Sequence, residues 1–262
     1  MKLCAVLLSL SALTACPTPV GPRYTVDPQR LKGLPTDHGT LLALSDELAT
    51  KRPTSRQLAD RSLAAAEAAE VKHPHDFDVL WRIARGTFLM TEHLETREQR
   101  LTYATRGREA AELAVQQSPS RVEGHYYLAM NIARIAEAKN KLGLIKVALG
   151  EAERSARIDP RFDEAGAYRF MGKLYLVAPA WPVSVGSTEK AVEMLERAVA
   201  LAPIPINRLF LGQAYFKDDE PEKAKVLLEG ALRDGQRDRG DPRWQKEAKE
   251  AEEYLRRLRS GS

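Results

Sequence analysis

Cysteine is almost absent from this chain. Its two cysteines, Cys4 and Cys16, both lie at the extreme N-terminus of a sequence of 262 residues. A disulfide framework needs cysteines spread through the folded part, and a thiolate metal site needs them clustered there. We therefore expect the fold to be stabilised by packing alone.

Residues and motifs typical of catalysis are also scarce. The chain has five histidines, and no two of them have a metal-ligand spacing on one helix. His73 and His75 flank Pro74, and we expect them in a solvated turn between helices. The sequence contains no glycine-rich phosphate loop and no G-x-S-x-G motif. These absences predict a protein that is not an enzyme and that holds neither cofactor nor metal.

Long hydrophobic runs are limited to one, from Leu3 to Ala15. It is shorter than the roughly 20 apolar residues that cross a bilayer as a helix, so it predicts a signal peptide over residues 1–15. The run ends in LTAC, which resembles the lipobox of bacterial lipoproteins, where the cysteine is acylated and becomes the new N-terminus. The resemblance implies a lipid anchor on Cys16, and an ordinary cleaved signal with an incidental Cys16 is the alternative.

Prolines dominate the segment after Cys16. With Pro17, Pro19, Pro22, Pro28 and Pro35 and few large apolar residues, residues 16–36 are predicted to be an extended tether outside any core. In the sorting pattern of Gram-negative lipoproteins, an aspartate after the cysteine retains the protein in the inner membrane. Pro17 stands there instead, which implies the outer membrane of a bacterial cell envelope, facing the periplasm.

An excess of one charge is missing as well. The sequence has 40 basic and 36 acidic residues, and loss of Lys2 with the signal would lower the net charge from +4 to +3. Nucleic-acid-binding domains carry a much stronger positive bias, so we expect no nucleic-acid partner.

What the sequence does contain is a recurring pattern of small residues, aromatics and prolines. Ala191, Leu195, Ala198 and Pro203 are followed by LGQAY at 211–215, and the same frame recurs before and after Pro160, Pro119 and Pro74. This spacing resembles the tetratricopeptide repeat, in which small residues let two antiparallel helices approach closely. It predicts an all-α, irregular solenoid of four to five helix pairs over residues 37–240.

The last segment has the pattern of a capping helix. Asp241-Pro242 is typical of a helix start, and Trp244, Ala248, Ala251, Leu255 and Leu258 then form one apolar stripe. Residues 241–262 are therefore predicted to close the solenoid with a soluble outer face.

The repeats are longer than the ideal 34 residues, because successive prolines lie 41 to 45 residues apart. From Tyr215 to Ala224 the step is nine residues, whereas from Tyr175 to Ala191 and from Ile132 to Ala148 it is sixteen. The extra residues all fall at the same end of the stacked pairs, where insertions in repeat proteins often serve binding.

Three stretches together resemble a narrower family. EGHYYLAMNIAR, GAYRFMGKLYLVAPAWPVSVGSTEKAVEMLERAVALAP and NRLFLGQAYF are similar to the T component of tripartite ATP-independent periplasmic (TRAP) transporters. The resemblance implies a lipoprotein with irregular tetratricopeptide-like repeats that handles small organic ligands beside a solute-binding partner.

The repeat frame also predicts which side chains line the concave surface. They are aromatic, cationic or amide side chains on the first helix of each pair: Trp81, Arg85, Phe88, Tyr126, Met130, Arg134, Arg169, Lys173, Gln213 and Lys217. A cationic stripe among aromatics suits carboxylates or an acidic protein segment. The alternative is a solvated face, neutralised by Asp78, Glu123 and other acids.

Two further features have structural and functional interpretations. Asn131 lies in an apolar helix, where it either tethers the following loop or contacts a ligand. Trp181, Pro182 and Val183 form an apolar loop that is expected to fold back onto the helices of Tyr175 and Leu195, leaving a rim that could bind.

Two functions of different classes remain open. One is a lipid-anchored accessory protein that binds an anionic small molecule for a TRAP-type transport system. The other is a scaffold lipoprotein of an envelope machine, such as a secretin, pilus or surface-motility complex, that binds a protein segment. The first needs a closed, partly apolar pocket, and the second needs an open groove.

Overall fold

A computed structural model describes residues 26–235 and 239–260; the predicted signal peptide and Cys16 lie outside them. Within this part of the chain the regular secondary structure is helical. The helices are α1 (His38–Thr50), α2 (Arg56–Lys72), α3 (Phe77–Thr91), α4 (Arg97–Gln117), α5 (Val122–Lys139), α6 (Gly143–Ile158), α7 (Phe162–Val177), α8 (Thr188–Leu201), α9 (Pro205–Lys217), α10 (Pro221–Asp234) and α11 (Pro242–Ser260). The predicted all-α class, the helix pairs and the final helix starting at Pro242 are confirmed.

Local sequence sets where the helices begin and end. Five helices start after a side chain that accepts a hydrogen bond from the first turn: Asp37, Ser55, Asp76, Thr96 and Ser187. Pro205 and Pro221 occupy the first turn of α9 and α10, where a missing N–H costs nothing. The repeat prolines Pro74, Pro119, Pro160 and Pro203 lie in the turns between pairs.

Small residues bring the two helices of each pair close together. A Cβ added to Gly172 of α7 would lie 2.4 Å from Leu195 Cγ of α8, and one added to Gly212 of α9 would lie 2.8 Å from Leu228 Cγ of α10. Ala191, Ala198 and Ala224 on the second helices are fully buried. The predicted repeat register therefore holds.

The pairs stack so that their first helices (α1, α3, α5, α7 and α9) form the inner layer. Successive first helices touch one another, whereas the second helices (α2, α4, α6, α8 and α10) do not do so to a comparable extent within the described residues. The inner layer is the concave surface of the solenoid, and each core lies between the two layers.

The extra residues of the two long pairs are placed differently. In the third pair they lengthen the helices, because α5 runs on to Lys139 and only 140–142 separate it from α6. In the fourth pair they form a loop over 178–187 between α7 and α8. Both additions lie at the end of the stack where first helices finish.

The predicted tether is shorter than expected, because residues 27–34 form turns that dock on α2. Arg30 donates to Glu67 at 2.6 Å and to Asp60 at 3.0 Å, while Arg61 donates to the carbonyl oxygens of Lys32 and Gly33. Glu67 is fully buried between Arg30 and Arg106, and burial raises its pKa although both guanidinium groups oppose the shift. The expectation that residues up to 36 stay off the core is wrong for this stretch.

The capping helix α11 packs on the last pair with the predicted stripe. Trp244, Ala251 and Leu255 are buried, and Ala248 and Leu258 are partly buried beside them. They cover Leu209, Leu228 and Ala231 of α9 and α10, which would otherwise be open at the end of the stack.

Candidate functional site: the concave surface

The two ends of the concave surface are covered by the chain's own terminal helices. At the N-terminal end, Asp46 of α1 accepts hydrogen bonds from Arg82 at 2.7 and 2.9 Å and forms an ion pair with Arg85 at 2.8 Å. Burial alone would raise the pKa of Asp46, but Arg82 and Arg85 outweigh it, and the pKa is lowered. The predicted groove residue Arg85 is therefore buried under α1.

Trp81 is also enclosed at this end. It is 8% exposed, stacks on Tyr127 with ring centroids 6.1 Å apart, and donates through Nε1 to Asp78 at 3.2 Å. The guanidinium groups of Arg82 and Arg85 lie over its ring at 4.2 and 4.9 Å. Trp81 thus belongs to the packing between α1, α3 and α5.

The C-terminal end is covered by α11. Lys173 donates to Glu247 at 2.6 Å and to Gln213 at 3.0 Å, and Gln213, which is fully buried, donates to the same carboxylate at 3.3 Å. Phe216 of α9 stacks on Tyr254 of α11 at 4.3 Å. Lys217 donates to the carbonyl oxygen of Leu176 at 3.2 Å.

A network of polar groups holds the start of α7 in the middle of the surface. The Tyr126 hydroxyl and the Arg169 guanidinium both donate to Asp163 Oδ2 at 2.6 Å, and Arg169 also donates to Asn207 Oδ1 at 3.1 Å. Burial, reinforced by the nearby Asp163 charge, raises the pKa of Tyr126 well above its ordinary value, so the phenol remains a donor.

This network accompanies an unusual backbone turn. Asp163, Glu164 and Ala165 have φ values of 49°, 55° and 63°, the left-handed region that costs L-residues roughly 1–2 kcal/mol each. Glycine is required at the next position, since a Cβ on Gly166 would lie 2.6 Å from the Tyr126 oxygen. Regular right-handed helix in α7 begins after this turn.

Between the two covered ends lies a stretch that we call the central strip, formed by Met130, Ala133, Arg134 and Glu137 of α5. Arg134 pairs with Glu92 and, at 3.0 Å, with Glu137, and its guanidinium lies 5.4 Å from the ring centroid of Phe88. The Arg134 side chain keeps 30% of its surface exposed and that of Glu137 keeps 65%. Met130 and Ala133 are partly buried beside them.

The cationic stripe is present, but each cation already has an acceptor from the chain. The acceptors are Asp46 for Arg85, Glu92 and Glu137 for Arg134, Asp163 for Arg169, Glu247 for Lys173 and a carbonyl oxygen for Lys217. The acids expected from the sequence have other partners, because Asp78 and Glu123 pair with Arg82 and Arg121. Anion binding by these residues stays a prediction.

The sequence frame missed the acidic partners because three of them lie outside the four helices to which it assigned groove residues, α3, α5, α7 and α9. Asp46 and Glu247 come from the two terminal helices, and Glu92 lies at the C-cap of α3. The one available signal was the pattern of α11, where Glu247 and Glu250 flank the apolar stripe.

Asn131 has a role that neither sequence interpretation anticipated. It is fully buried, and its Nδ2 donates to the carbonyl oxygens of Ala84 at 3.0 Å and Tyr127 at 2.8 Å. A Cβ on Gly107 would lie 2.3 Å from Asn131 Oδ1, so the amide fills the junction of α3, α4 and α5. Asn131 joins helices and does not tether the following loop.

The apolar loop does not fold back as expected. Trp181 is 84% exposed, Val183 is 65% exposed, and Pro182 is exposed between them. Only the end of the loop returns to the body, where Ser184 is buried and Val185 packs against the core. The expectation that these side chains pack on the helices of Tyr175 and Leu195 is wrong for Trp181, Pro182 and Val183.

In the part of the chain that the structure describes, no group of three or more His, Cys, Asp or Glu side chains could hold a metal ion. None of the helices described is both long enough and apolar enough to span a bilayer. A depression of about 400 Å³ between α10 and α11, lined by Leu232, Leu255 and Arg259 among others, is shallow and open to solvent.

Comparison with known proteins places this repeat in a family. A sequence profile described as "Regulator of microtubule dynamics protein 1-3" matches residues 41–174, just over half of the chain, from α1 to the last turn of α7. The chain belongs to that family. The matched residues include the N-terminal covered end and the whole central strip of this family member. No curated protein matches the chain.

Solved structures support the fold. The crystal structure of a thermophilic TPR protein from Thermus thermophilus aligns with a TM-score of 0.63 at 19% identity, covering 84% of this chain and 99% of its own. The MamA protein gives a TM-score of 0.46 at 16% identity over 76% of this chain and 92% of its own, and yeast Tom70 gives 0.34 at 13% over 85% and 60%. The last two scores are too low to support an argument.

The likeness to the Thermus thermophilus protein shows a TPR-like helical repeat fold. Solenoids of this kind present an extended concave binding surface. The narrower resemblance to transporter T components is not confirmed by these comparisons and stays a prediction.

Proposed function

We propose that this protein is a non-catalytic scaffold that holds a segment of a protein partner on the central strip of its concave surface. The observation that carries the proposal is the asymmetry of that surface. Its two ends are covered by α1 and α11, whereas Arg134, Glu137 and the side chains beside them remain accessible between the covers. A partner segment of a few residues fits an open strip better than a free metabolite does.

The chemistry of the strip defines the partner segment. Met130 and Ala133 offer apolar contact. Arg134 offers a guanidinium, and its ion-pair partner Glu137 is mostly exposed, so another carboxylate can take the place of Glu137. An acidic side chain from a partner could replace Glu137, since guanidinium groups bind carboxylates in a fixed fork. We therefore propose an acidic segment with at least one apolar side chain.

We further propose that the scaffold is attached to the bacterial cell envelope through an acylated Cys16, with the outer membrane as its site. The support is the apolar run before Cys16 and the LTAC sequence. The segment over 27–34 is docked on α2 through Arg30, so the folded part begins before α1.

Site-specific photocrosslinking tests the scaffold proposal. A photoreactive residue at position 137 stands on the central strip, and one at the exposed Val226 of α10 serves as the matched control on an outer helix. The proposal predicts an adduct of defined mass at position 137 that is absent at 226 and is lost when Arg134→Glu is added. Equal adducts at both positions, or an adduct that survives Arg134→Glu with the melting temperature unchanged, would refute it.

Binding of an anionic small molecule for a TRAP-type transport system is a second candidate, and one observation favours it. Tyr126 and Arg169 already hold one carboxylate, that of Asp163, and Asn207 orients Arg169 by accepting a hydrogen bond from it. Calorimetric titration with a panel of organic acids tests this candidate. It requires a saturable heat that Tyr126→Phe reduces; absence of heat with every acid in the panel leaves only the scaffold.

A further inference from the structure

The loop between α7 and α8 presents a rigid apolar tip. The tip consists of Val177, Trp181, Pro182 and Val183. Val177 is 57% exposed, Trp181 is 84% exposed and Val183 is 65% exposed. Backbone hydrogen bonds hold it, from Gly186 N to Pro179 O at 2.9 Å and from Ser187 N to Tyr175 O at 3.1 Å. The exposure is therefore a fixed feature of the fold, and exposed apolar groups in such a cluster mark an interaction surface.

The neighbouring turn between α5 and α6 is basic. Lys139, Lys141 and Lys146 are exposed, and residues 138–150 contain no acid. None of the three forms an ion pair with any residue that the structure describes. Val147, which is 49% exposed, lies next to them. We call this group the lysine turn.

The apolar tip and the lysine turn lie at the same end of the solenoid. Both follow first helices, α7 and α5, which run in the same direction because consecutive helices in the stack are antiparallel. The turns on either side carry acids, with Glu95 between α3 and α4 and Asp218, Asp219 and Glu220 between α9 and α10. Lys51 and Arg52 also follow a first helix, α1, but Lys51 pairs with Glu47, and of these two basic turns the apolar tip adjoins only the lysine turn.

The N-terminal segment also points to this end. The carbonyl of Thr36 accepts from Lys72 in the last turn of α2, whereas Arg30 reaches Asp60 near the first turn of that helix. Since α2 begins at the end where first helices finish, the chain traced back from residue 36 to residue 30 heads towards the end of the stack that carries the apolar tip. Cys16 lies fourteen residues further back.

From this arrangement we infer that the apolar tip and the lysine turn form a docking edge for an anionic lipid bilayer. Trp181, Pro182 and Val183 enter the interfacial layer, where the amphipathic ring of tryptophan is favoured, and the lysines contact the anionic headgroups. A contact of this kind would add to an N-terminal acyl anchor and fix the orientation of the solenoid on the bilayer. The inference goes beyond the proposed function, because it assigns a ligand to a different surface.

The fluorescence of Trp181 tests this directly. Trp81 and Trp244 are 8% and 5% exposed, so among the three tryptophans only Trp181 can respond to lipid without unfolding. Purified full chain is titrated with vesicles of phosphatidylcholine and phosphatidylglycerol, some with brominated acyl chains. We expect emission to shift to shorter wavelength and to be quenched by bromine, and Trp181→Phe to abolish both changes.

Matched variants distinguish lipid binding through the docking edge from lipid binding through another part of the chain. Replacing the three lysines of the turn with Gln should raise the lipid needed for half-maximal quenching by about fivefold per lysine, with Lys225→Gln on α10 as the control. Val183→Asp should abolish the response, whereas Val71→Asp, at an equally exposed valine on the opposite end, should leave it intact.

Three outcomes would overturn the inference. Vesicle binding with unchanged Trp181 emission would mean that another part of the chain makes the contact. Equal loss in the Val71→Asp and Val183→Asp variants would remove the link to the tip. A Trp181 signal that responds to a purified envelope protein and never to vesicles would assign the tip to a protein partner.

Discussion

Single glycines set how closely the helices of a pair approach, and they give the sharpest test of the repeat register. Gly212→Ala would place a methyl group 2.8 Å from Leu228 Cγ, and forced volume in a packed site costs about 1–3 kcal/mol. We expect the free energy of unfolding to fall by that amount in a denaturant titration.

Gly150 is the matched control, since it is also interior to a helix but a Cβ there meets nothing within 4 Å. Gly150→Ala should raise stability by about 0.5–1 kcal/mol through the lower entropy of the unfolded chain. Similar destabilisation in both variants would show that the close contact at Gly212 is misplaced.

Asp46 gives the N-terminal cover a pH dependence. Its pKa is lowered in the folded protein, so its ionised form contributes stability that is complete above its unfolded pKa of about 3.9. That contribution is lost as pH falls through the lower folded pKa. The melting temperature of Asp46→Asn should therefore lie below that of the parent at pH 7, and the gap should narrow as pH falls below about 4.

A gap that stays constant over the acid range would contradict the assignment. Asp234 is a useful comparison, because its pKa is also lowered, by Arg208 and Arg233, yet it lies at the end of α10 away from the concave surface. Its removal should leave contacts between α1 and α3 unaffected in nuclear magnetic resonance spectra.

For single residues, the sequence predicted the cations of the concave surface but not the carboxylates that pair with them. The repeat frame identifies Arg134 and Lys173 because it fixes which positions of a first helix face inward. Glu92 and Glu247 could not be assigned to them, since the pairing depends on how a C-cap and a terminal helix pack in three dimensions. Arg169 shows the same limit: its bonds to Asp163 and Asn207 make it structural, so Arg169→Ala is not expected to leave the fold intact.

Among the elements, α11 and the loop between α7 and α8 each carry one tryptophan, in opposite environments. Trp244 is 5% exposed in the core that α11 forms with α9 and α10, and truncation of a buried tryptophan costs about 3–5 kcal/mol. Trp181 is 84% exposed, and its truncation should change stability by less than about 0.5 kcal/mol. Thermal melts of Trp244→Ala and Trp181→Ala test both expectations.

A large loss of stability in Trp181→Ala would mean that the loop packs on the body in solution, as the sequence led us to expect. That expectation failed for a physical reason. Hydrophobicity predicts burial on average, but the loop is closed by its own backbone bonds around Gly186, where a Cβ would lie 2.1 Å from Ala178 O. This short closure leaves Trp181 outside, and residue composition does not reveal it.

Helix boundaries, by contrast, could largely be predicted from the sequence. Caps such as Ser187 and prolines such as Pro160 act locally, so their effect on the chain does not depend on tertiary contacts. The docked segment over 27–34 was missed because its anchor, Arg30 to Glu67, joins residues far apart in sequence.

The whole molecule is predicted to be held at a membrane through Cys16. Cys16→Ser should move the protein from the membrane fraction to the soluble fraction after cell breakage, with poor processing of the signal segment. Pelleting with membranes in the same proportion as the parent would contradict acylation. If the docking edge also contributes, release should become more complete at high salt, which screens the lysine turn.

For the whole molecule, we propose above all that the strip between α1 and α11 binds an acidic segment of a protein partner. The most direct measurement is calorimetric titration of the partner that crosslinks at position 137 into the parent, Arg134→Ala and Arg233→Ala proteins. Hydrogen bonds to a charged group are worth about 1.5–3 kcal/mol, so Arg134→Ala should weaken binding about tenfold or more. Arg233 is mostly exposed on α10, and its loss should leave the affinity unchanged. Equal affinities for all three proteins would contradict the account.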